Sequence, residues 1–289
     1  MGLRPTTHLR PGDTLDHYRL GDFVGTGGTA SVFRAIDTRT GHEVAIKIPH
    51  GRQSGNAPLA SGFGPNVSVS HELLHRSIVR VLPNGGASRP YVVMEWVDGQ
   101  LLRQILDSQG RLSIERALRI ALQVCEVLQY VHEHGIAHLD LKPDNIILGA
   151  NDCIKLIDVD VVHEPKRGLF SWFRPKSMGT PDYAAPEQIK GNSPDARSDI
   201  YSLGLILYEM LTGEVPFSSA APEAALHLRL SADPIPPSEI NPAIPASLQD
   251  VVCRAISRVP AKRQASAREL YSELEVAAQS CERELIESV

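Results

Sequence analysis

Four groups of residues in this sequence have types and spacings suited to chemistry on phosphate. Gly25-Thr26-Gly27-Gly28-Thr29-Ala30-Ser31-Val32 joins two strand-forming runs. Glycines there let backbone amides close over phosphate oxygens with no side chain in the way, although a plain glycine-rich hairpin turn reads the same. Val44-Ala45-Ile46-Lys47 ends an apolar run in a lysine fifteen residues after Val32. Such a lysine can reach bound phosphates, or can be a surface cation at a strand end. His138-Leu139-Asp140-Leu141-Lys142-Pro143-Asp144-Asn145 packs a base, a cation and a metal-binding amide into one loop. Asp158 follows Asp140 by eighteen residues, at the end of the apolar run 154–157, where a carboxylate would face a cleft. Each group alone is ambiguous. Together, in this order and at these spacings, they are not a chance set.

The elements that must position these groups change character along the chain. Strands are predicted over 18–24, 31–37, 43–48, 78–82 and 91–97, each β-branched or alternating and bounded by glycine, proline or asparagine. Residues 49–65 hold four glycines and three prolines and are predicted to be irregular. After Asp98-Gly99 the period becomes helical. Ser113 is placed to cap a helix running to about His134, stopped by Gly135. A helix over 199–211 is apolar on nearly every face, is stopped by Gly213, and is expected at the centre of its lobe. Further helices are predicted over 222–230, 247–257 and 266–287. A strand-rich first third followed by helices makes an α+β chain with a hinge near 95–99.

Composition bounds the remaining choices. The 289 residues are 42% hydrophobic, 22% charged and 5% aromatic, as in ordinary globular proteins. A net charge of -5 gives no reason to expect nucleic acid or an anionic membrane as partner. The four cysteines (Cys125, Cys153, Cys253, Cys281) form no C-x-x-C pair, which argues against zinc or a disulfide framework and suits a reducing, cytoplasmic setting. The first twelve residues lack the apolar core of a secretory signal. The apolar stretch 203–211 is too short to span a bilayer and carries Glu209.

With these residues in view, the chain resembles the eukaryotic-type (Hanks-type) Ser/Thr protein kinases, particularly their bacterial members, over about residues 18 to 275. Beyond the four groups, the resemblance rests on Gly179-Thr180-Pro181-Asp182-Tyr183-Ala184-Ala185-Pro186-Glu187, on Asp199-Ile200-Tyr201-Ser202-Leu203-Gly204, and on Arg263. It implies a bilobal protein-kinase fold. A polar leader (1–14) would precede a small β-rich N-lobe (15–97), a larger helical C-lobe (98–278) and a C-terminal helix end or tail (279–289). It implies ATP bound by Gly25, Thr26, Gly27 and Gly28, with Lys47 on the α- and β-phosphates. Val32, Ala45 and Ile147 would sandwich the adenine, Met94 would back the pocket, and the backbone from Glu95 to Val97 would bond the adenine edge. Asn145 and Asp158 would hold Mg²⁺, with Mn²⁺ able to replace it. Asp140 would act on the substrate hydroxyl proton and Lys142 on the γ-phosphate. Glu187 and Arg263 would form an internal ion pair, and Asp199 would open the buried central helix. Ser171, Ser177 and Thr180 would lie in the activation segment, and Thr180 with Lys142 points to Ser/Thr rather than Tyr acceptors. The implied partners are protein substrates carrying Ser or Thr, and a second copy for autophosphorylation.

The sequence departs from that family in four places. The third loop glycine is Ala30, a small change. Leu139 replaces the arginine that would pair with an activation-segment phosphate, which implies atypical regulation. The metal-binding triplet reads Asp158-Val159-Asp160 instead of ending in phenylalanine and glycine. The helix glutamate expected to orient Lys47 falls at Asn66. Glu72, six residues on, lies about 600° further round a helix and so on another face. The expected activity is Mg-ATP-dependent transfer to protein hydroxyls. The alternative is a pseudokinase, a binding or scaffold module that still holds nucleotide.

Overall fold

Alternating, β-branched runs fold the first third of the chain into an antiparallel sheet. The structure, a computed structural model, describes residues 9–27, 30–50, 73–84, 87–159, 182–217 and 221–287. Strands β1 (Thr14–Leu15), β2 (Tyr18–Thr26), β3 (Ala30–Asp37), β4 (Glu43–Pro49), β5 (Val81–Leu82) and β6 (Val92–Glu95) lie in the order β1-β2-β3-β4-β6-β5. The strand expected over 78–82 shrinks to its last two residues. Ile78 keeps only an isolated bridge, and its N–H closes a turn on the His75 carbonyl 3.0 Å away. The strand expected over 91–97 ends at Glu95, and the Trp96 indole bonds Asp98 at 2.8 Å just beyond it.

Period-two alternation divides this sheet into two faces. One face carries Phe33, Ala35, Val44, Ile46, Ile48 and Val93 into a core completed by Leu15, Tyr18, Leu20 and Tyr91. The other carries the cross-strand pairs Val32–Lys47 and Ala45–Met94.

A second compact unit starts at Gly99, while Val159 belongs to the first. It opens with a small antiparallel sheet, β7 (Gln100–Leu101), β8 (Ile146–Leu148) and β9 (Ile154–Leu156). Its helices are α1 (Leu102–Gln109), α2 (Ile114–Glu133), α3 (Pro186–Ile189), α4 (Ala196–Thr212), α5 (Pro222–Ser231), α6 (Pro237–Ile240), α7 (Ala246–Ala255) and α8 (Ala267–Glu287). The Ser113 hydroxyl caps α2 by accepting the Arg116 N–H at 3.3 Å. Helix α4 starts earlier than expected because Asp195 caps it, accepting from the Arg197 N–H at 2.8 Å. Nearly every side chain of α4 is buried, and each large aliphatic one is worth about 1.5–3 kcal/mol of burial. Gly204 is required there. A Cβ would come within 2.9 Å of Ala255 on α7 and 2.7 Å of Ile256. Among the described residues no helix is long and apolar enough to cross a membrane.

Candidate active site

In the first unit the candidate residues sit on strands, so regular pairing positions them. Val32 and Lys47 are direct cross-strand neighbours on one sheet face, and Ala45 pairs with buried Met94 on the same face. The hairpin joining β2 and β3 is closed by the Gly27 N–H donating to the Ala30 carbonyl at 2.9 Å. Ala30 is itself buried, opposite Pro49. At the end of β6 the Glu95 N–H is already committed to the Arg80 carbonyl at 2.9 Å. Of the backbone donors expected for an adenine edge, this removes that of Glu95.

In the second unit the candidate residues sit in loops, and a buried polar network holds them. Asp199, in the first turn of α4, has no exposed surface. Its Oδ2 accepts from the His138 N–H and pairs with His132 Nε2, each at 2.8 Å, and its Oδ1 accepts from the Leu139 N–H at 2.8 Å. The Gln188 side-chain amide donates to the Leu139 carbonyl, also at 2.8 Å. Both peptide groups of Leu139 are thereby captured, and its φ of +61° lies in the left-handed region, which costs an L-residue about 1–2 kcal/mol. That backbone turn aims the next side chain, Asp140, outward.

Asp140 lies beside Lys142, with Nζ 2.7 Å from Oδ2. Buried Asn145 donates through Nδ2 to the Asp140 carbonyl at 2.8 Å. Its amide oxygen is therefore the atom left for a cation, and oxygen is the donor a hard divalent ion takes. The Ile157 N–H donates to the Asn145 carbonyl at 2.9 Å, and His138 Nε2 lies 3.3 Å from the Ile157 carbonyl. These bonds seat the end of β9 against the loop, so the residue that follows, Asp158, starts from a fixed point, with φ at +57°. Ile147 is the middle residue of β8. Gly99 packs so closely there that a Cβ would meet the Leu148 carbonyl oxygen at 2.5 Å and Ile147 Cγ2 at 2.7 Å. Among the described residues no cluster of three His, Cys, Asp or Glu could hold a metal alone. One amide oxygen and one carboxylate instead fit Mg²⁺ that completes its shell with water and phosphate.

Glu187 and Arg263 form a bidentate pair at 2.7 and 2.8 Å. The Ser198 hydroxyl also donates to Glu187 at 2.6 Å, and the guanidinium stacks 4.7 Å from the Tyr201 ring centre. Burial pushes the Glu187 carboxyl up, but Arg263 and Ser198 outweigh it and hold the carboxyl below its usual range. Asp144 is exposed, and Val159 is buried. Gly28, Asn66, Glu72, Asp160, Ser171, Ser177 and Thr180 lie outside the described residues.

Three supporting contacts were not read from the sequence. His132 braces the loop from the amphipathic helix α2, and Gln188 does so from the four-residue helix α3. The third is a triad of Arg103, Tyr183 and Glu209. Arg103 donates to Glu209 at 2.7 Å and to the Tyr183 hydroxyl at 3.0 Å, and that hydroxyl donates to Glu209 at 2.5 Å. Burial, then the Glu209 charge, push the Tyr183 hydroxyl well above its ordinary range, so it acts there as a donor.

Comparison with known proteins agrees with this arrangement. The protein kinase domain family matches residues 18–274. Serine/threonine-protein kinase PknB of Mycobacterium leprae is 36% identical over 269 residues, covering 91% of this chain and 43% of that protein. The Mycobacterium tuberculosis PknB is 35% identical over 270 residues with the same coverage. The chain therefore spans less than half the length of these curated relatives. A crystal structure of the Mycobacterium tuberculosis PknI kinase domain superposes with a TM-score of 0.70 at 24% identity, over 93% of this chain and 100% of that one. The polar loop around Asp140, the strand lysine Lys47 and these matches lead to one assignment: the chain belongs to the protein kinase domain family, in its Hanks-type, bacterial Ser/Thr branch.

Proposed function

We propose that this chain transfers the γ-phosphate of ATP to serine or threonine hydroxyls of proteins. The observation that carries the reading is the Asp140–Lys142–Asn145 arrangement, assembled on the buried carboxylate of Asp199. Asp140 orients the acceptor hydroxyl and takes its proton, a contribution of about 10²–10⁴ in rate. Lys142, already beside that carboxylate, meets the oxygens of the transferred group. Lys47 holds the α- and β-phosphates under the amides of the glycine hairpin, and Val32, Ala45, Met94 and Ile147 surround the adenine. Asn145 and Asp158 would hold Mg²⁺, which would supply neutralisation of phosphate charge.

Regulation is read as atypical. Leu139 has no charge to receive a phosphate, and its backbone is held by Asp199 and Gln188 instead. The loop geometry thus has its own support, independent of a phosphorylated activation segment. Protein acceptors, autophosphorylation between copies and a cytoplasmic setting follow from the same reading. The free thiols of Cys125, Cys153 and Cys253 suit a reducing compartment.

The test is transfer of label from γ-labelled Mg-ATP to a generic Ser/Thr-containing protein, beside Asp140→Asn. Phosphothreonine or phosphoserine in the wild-type reaction, lowered about 10²–10⁴-fold by the substitution, is expected. Label no greater than in Asp140→Asn overturns the reading. Nucleotide binding without transfer would then assign the chain as a pseudokinase binding module.

A further inference from the structure

Behind the glycine hairpin lies a polar cluster that the site description leaves unused. His50 Nε2 is 2.8 Å from the Ser31 hydroxyl and 3.2 Å from the Thr26 hydroxyl. Thr26 and Ser31 are cross-strand partners at the mouth of the hairpin, one at the end of β2 and the other near the start of β3. His50 directly follows β4, three residues after Lys47. Without the imidazole these two hydroxyls face each other at 3.5 Å, too far to hold the strands together well.

Strand alternation tells which side this cluster occupies. Ser31 shares its parity with Phe33 and Ala35, which enter the core, whereas Val32 pairs with Lys47 on the opposite face. The imidazole therefore acts on the hairpin from the side away from the phosphate lysine. It reaches the hairpin without entering the face where Val32 and Lys47 lie.

We propose that His50 is a positioning residue for the glycine hairpin. Its ring nitrogen straps Thr26 and Ser31 to the strand that carries Lys47, fixing the hairpin amides relative to the lysine ammonium. The phosphate half of this proposal rests on the nucleotide reading given above. The strap itself rests only on the three side chains. Either tautomer serves, because a hydroxyl can donate to the bare nitrogen or accept from its N–H.

The experiment uses the whole chain as wild type, His50→Ala, His50→Gln, Ser31→Ala and the His50→Ala/Ser31→Ala double variant. Hydrogen exchange of the segment 23–33 is followed without nucleotide, and the Mg-ATP dissociation constant is measured separately. His50→Ala and Ser31→Ala are each expected to speed exchange about 3- to 10-fold, the ratio one net hydrogen bond carries. The double variant should be no faster than the singles, and His50→Gln, whose amide reaches the same place, should recover most of the protection. Mg-ATP binding should weaken by a similar factor. Unchanged exchange in His50→Ala, or fully additive effects in the double variant, overturns the strap. Faster exchange with unchanged Mg-ATP affinity overturns its role in phosphate positioning. Wild-type protein that binds no Mg-ATP overturns the nucleotide reading and that role together, while exchange alone still decides the strap.

Discussion

Two aspartates, one in each unit, do the same job at opposite depths. Asp16, exposed in the turn between β1 and β2, accepts the Tyr91 hydroxyl at 2.7 Å and the Ser88 N–H at 3.1 Å, joining segments more than seventy residues apart. Asp199, wholly buried in α4, joins His132, His138 and Leu139. Water can reach the Asp16 carboxylate and cannot reach that of Asp199. The strand unit thus places its site residues by repetitive backbone pairing, with polar staples as additions at its rim. The helical unit places its site residues on irregular backbone, and the staples themselves define the geometry. The same chemical group is an accessory in one unit and a determinant in the other.

The contrast is tested most severely by removing Arg263. Arg263→Ala leaves Glu187 buried opposite no cation, and breaking a buried pair in this way costs about 3–5 kcal/mol. Urea unfolding at neutral pH should show that loss. Its pH dependence has a definite sign. The Glu187 carboxyl is held below its ordinary value of 4.5 in the folded protein, so its contribution is complete above that value and fades as pH falls below it. The deficit of Arg263→Ala should therefore narrow in acid. A deficit that is small at pH 7, or one that widens in acid, would mean that burial in this unit does not have the weight assigned to it.

Asp199→Asn is the next largest effect. Asparagine keeps one acceptor oxygen but turns its NH₂ toward donors, leaving at least one buried N–H unmatched. The expected loss is about 2–3 kcal/mol, together with a fall in phosphotransfer as the backbone of Leu139 relaxes. A variant of full activity would show that the loop before Asp140 holds its left-handed turn by other means.

The two units were also unequally legible in the sequence. Strands β2, β3 and β4 were readable to within two residues because each is a β-branched or alternating run bounded by glycine, proline or asparagine. Helix α1 was missed. Its apolar positions, Leu102, Ile105 and Leu106, lie in a run too short to establish a period after the Asp98-Gly99 turn. The central helix α4 was plain from its unbroken apolar composition. Its true start depended on Asp195, one of several polar residues equally suited to cap. The identities in the catalytic loop were legible as a motif, but the braces were not. His132 and Gln188 act across 67 and 49 residues of sequence, and no local pattern marks such a pairing. Asn66, where the glutamate orienting Lys47 was expected, and Glu72, the nearby carboxylate, lie outside the described residues.

The smallest predicted effect belongs to the exposed staple, and it measures the comparison most finely. Tyr91→Phe removes the hydroxyl that Asp16 accepts and keeps the ring, which packs edge-on against Tyr18 with centres 6.0 Å apart. No cavity is made, so packing terms stay put. What is lost is one hydrogen bond to a carboxylate that water can reach, about 1 kcal/mol at neutral pH. The Tyr91 hydroxyl first, and the Ser88 contacts after it, hold the Asp16 carboxyl below its ordinary 3.8. A depressed carboxyl stabilises the fold above that value and stops doing so as pH falls through its folded-state range. The difference between wild type and Tyr91→Phe in urea midpoint should therefore be constant from pH 7 to about pH 5 and close below 3.8. A loss as large as that of Asp199→Asn would show that water does not replace this bond. The exposed and buried staples would then be equivalent, and depth would not be what separates the two units.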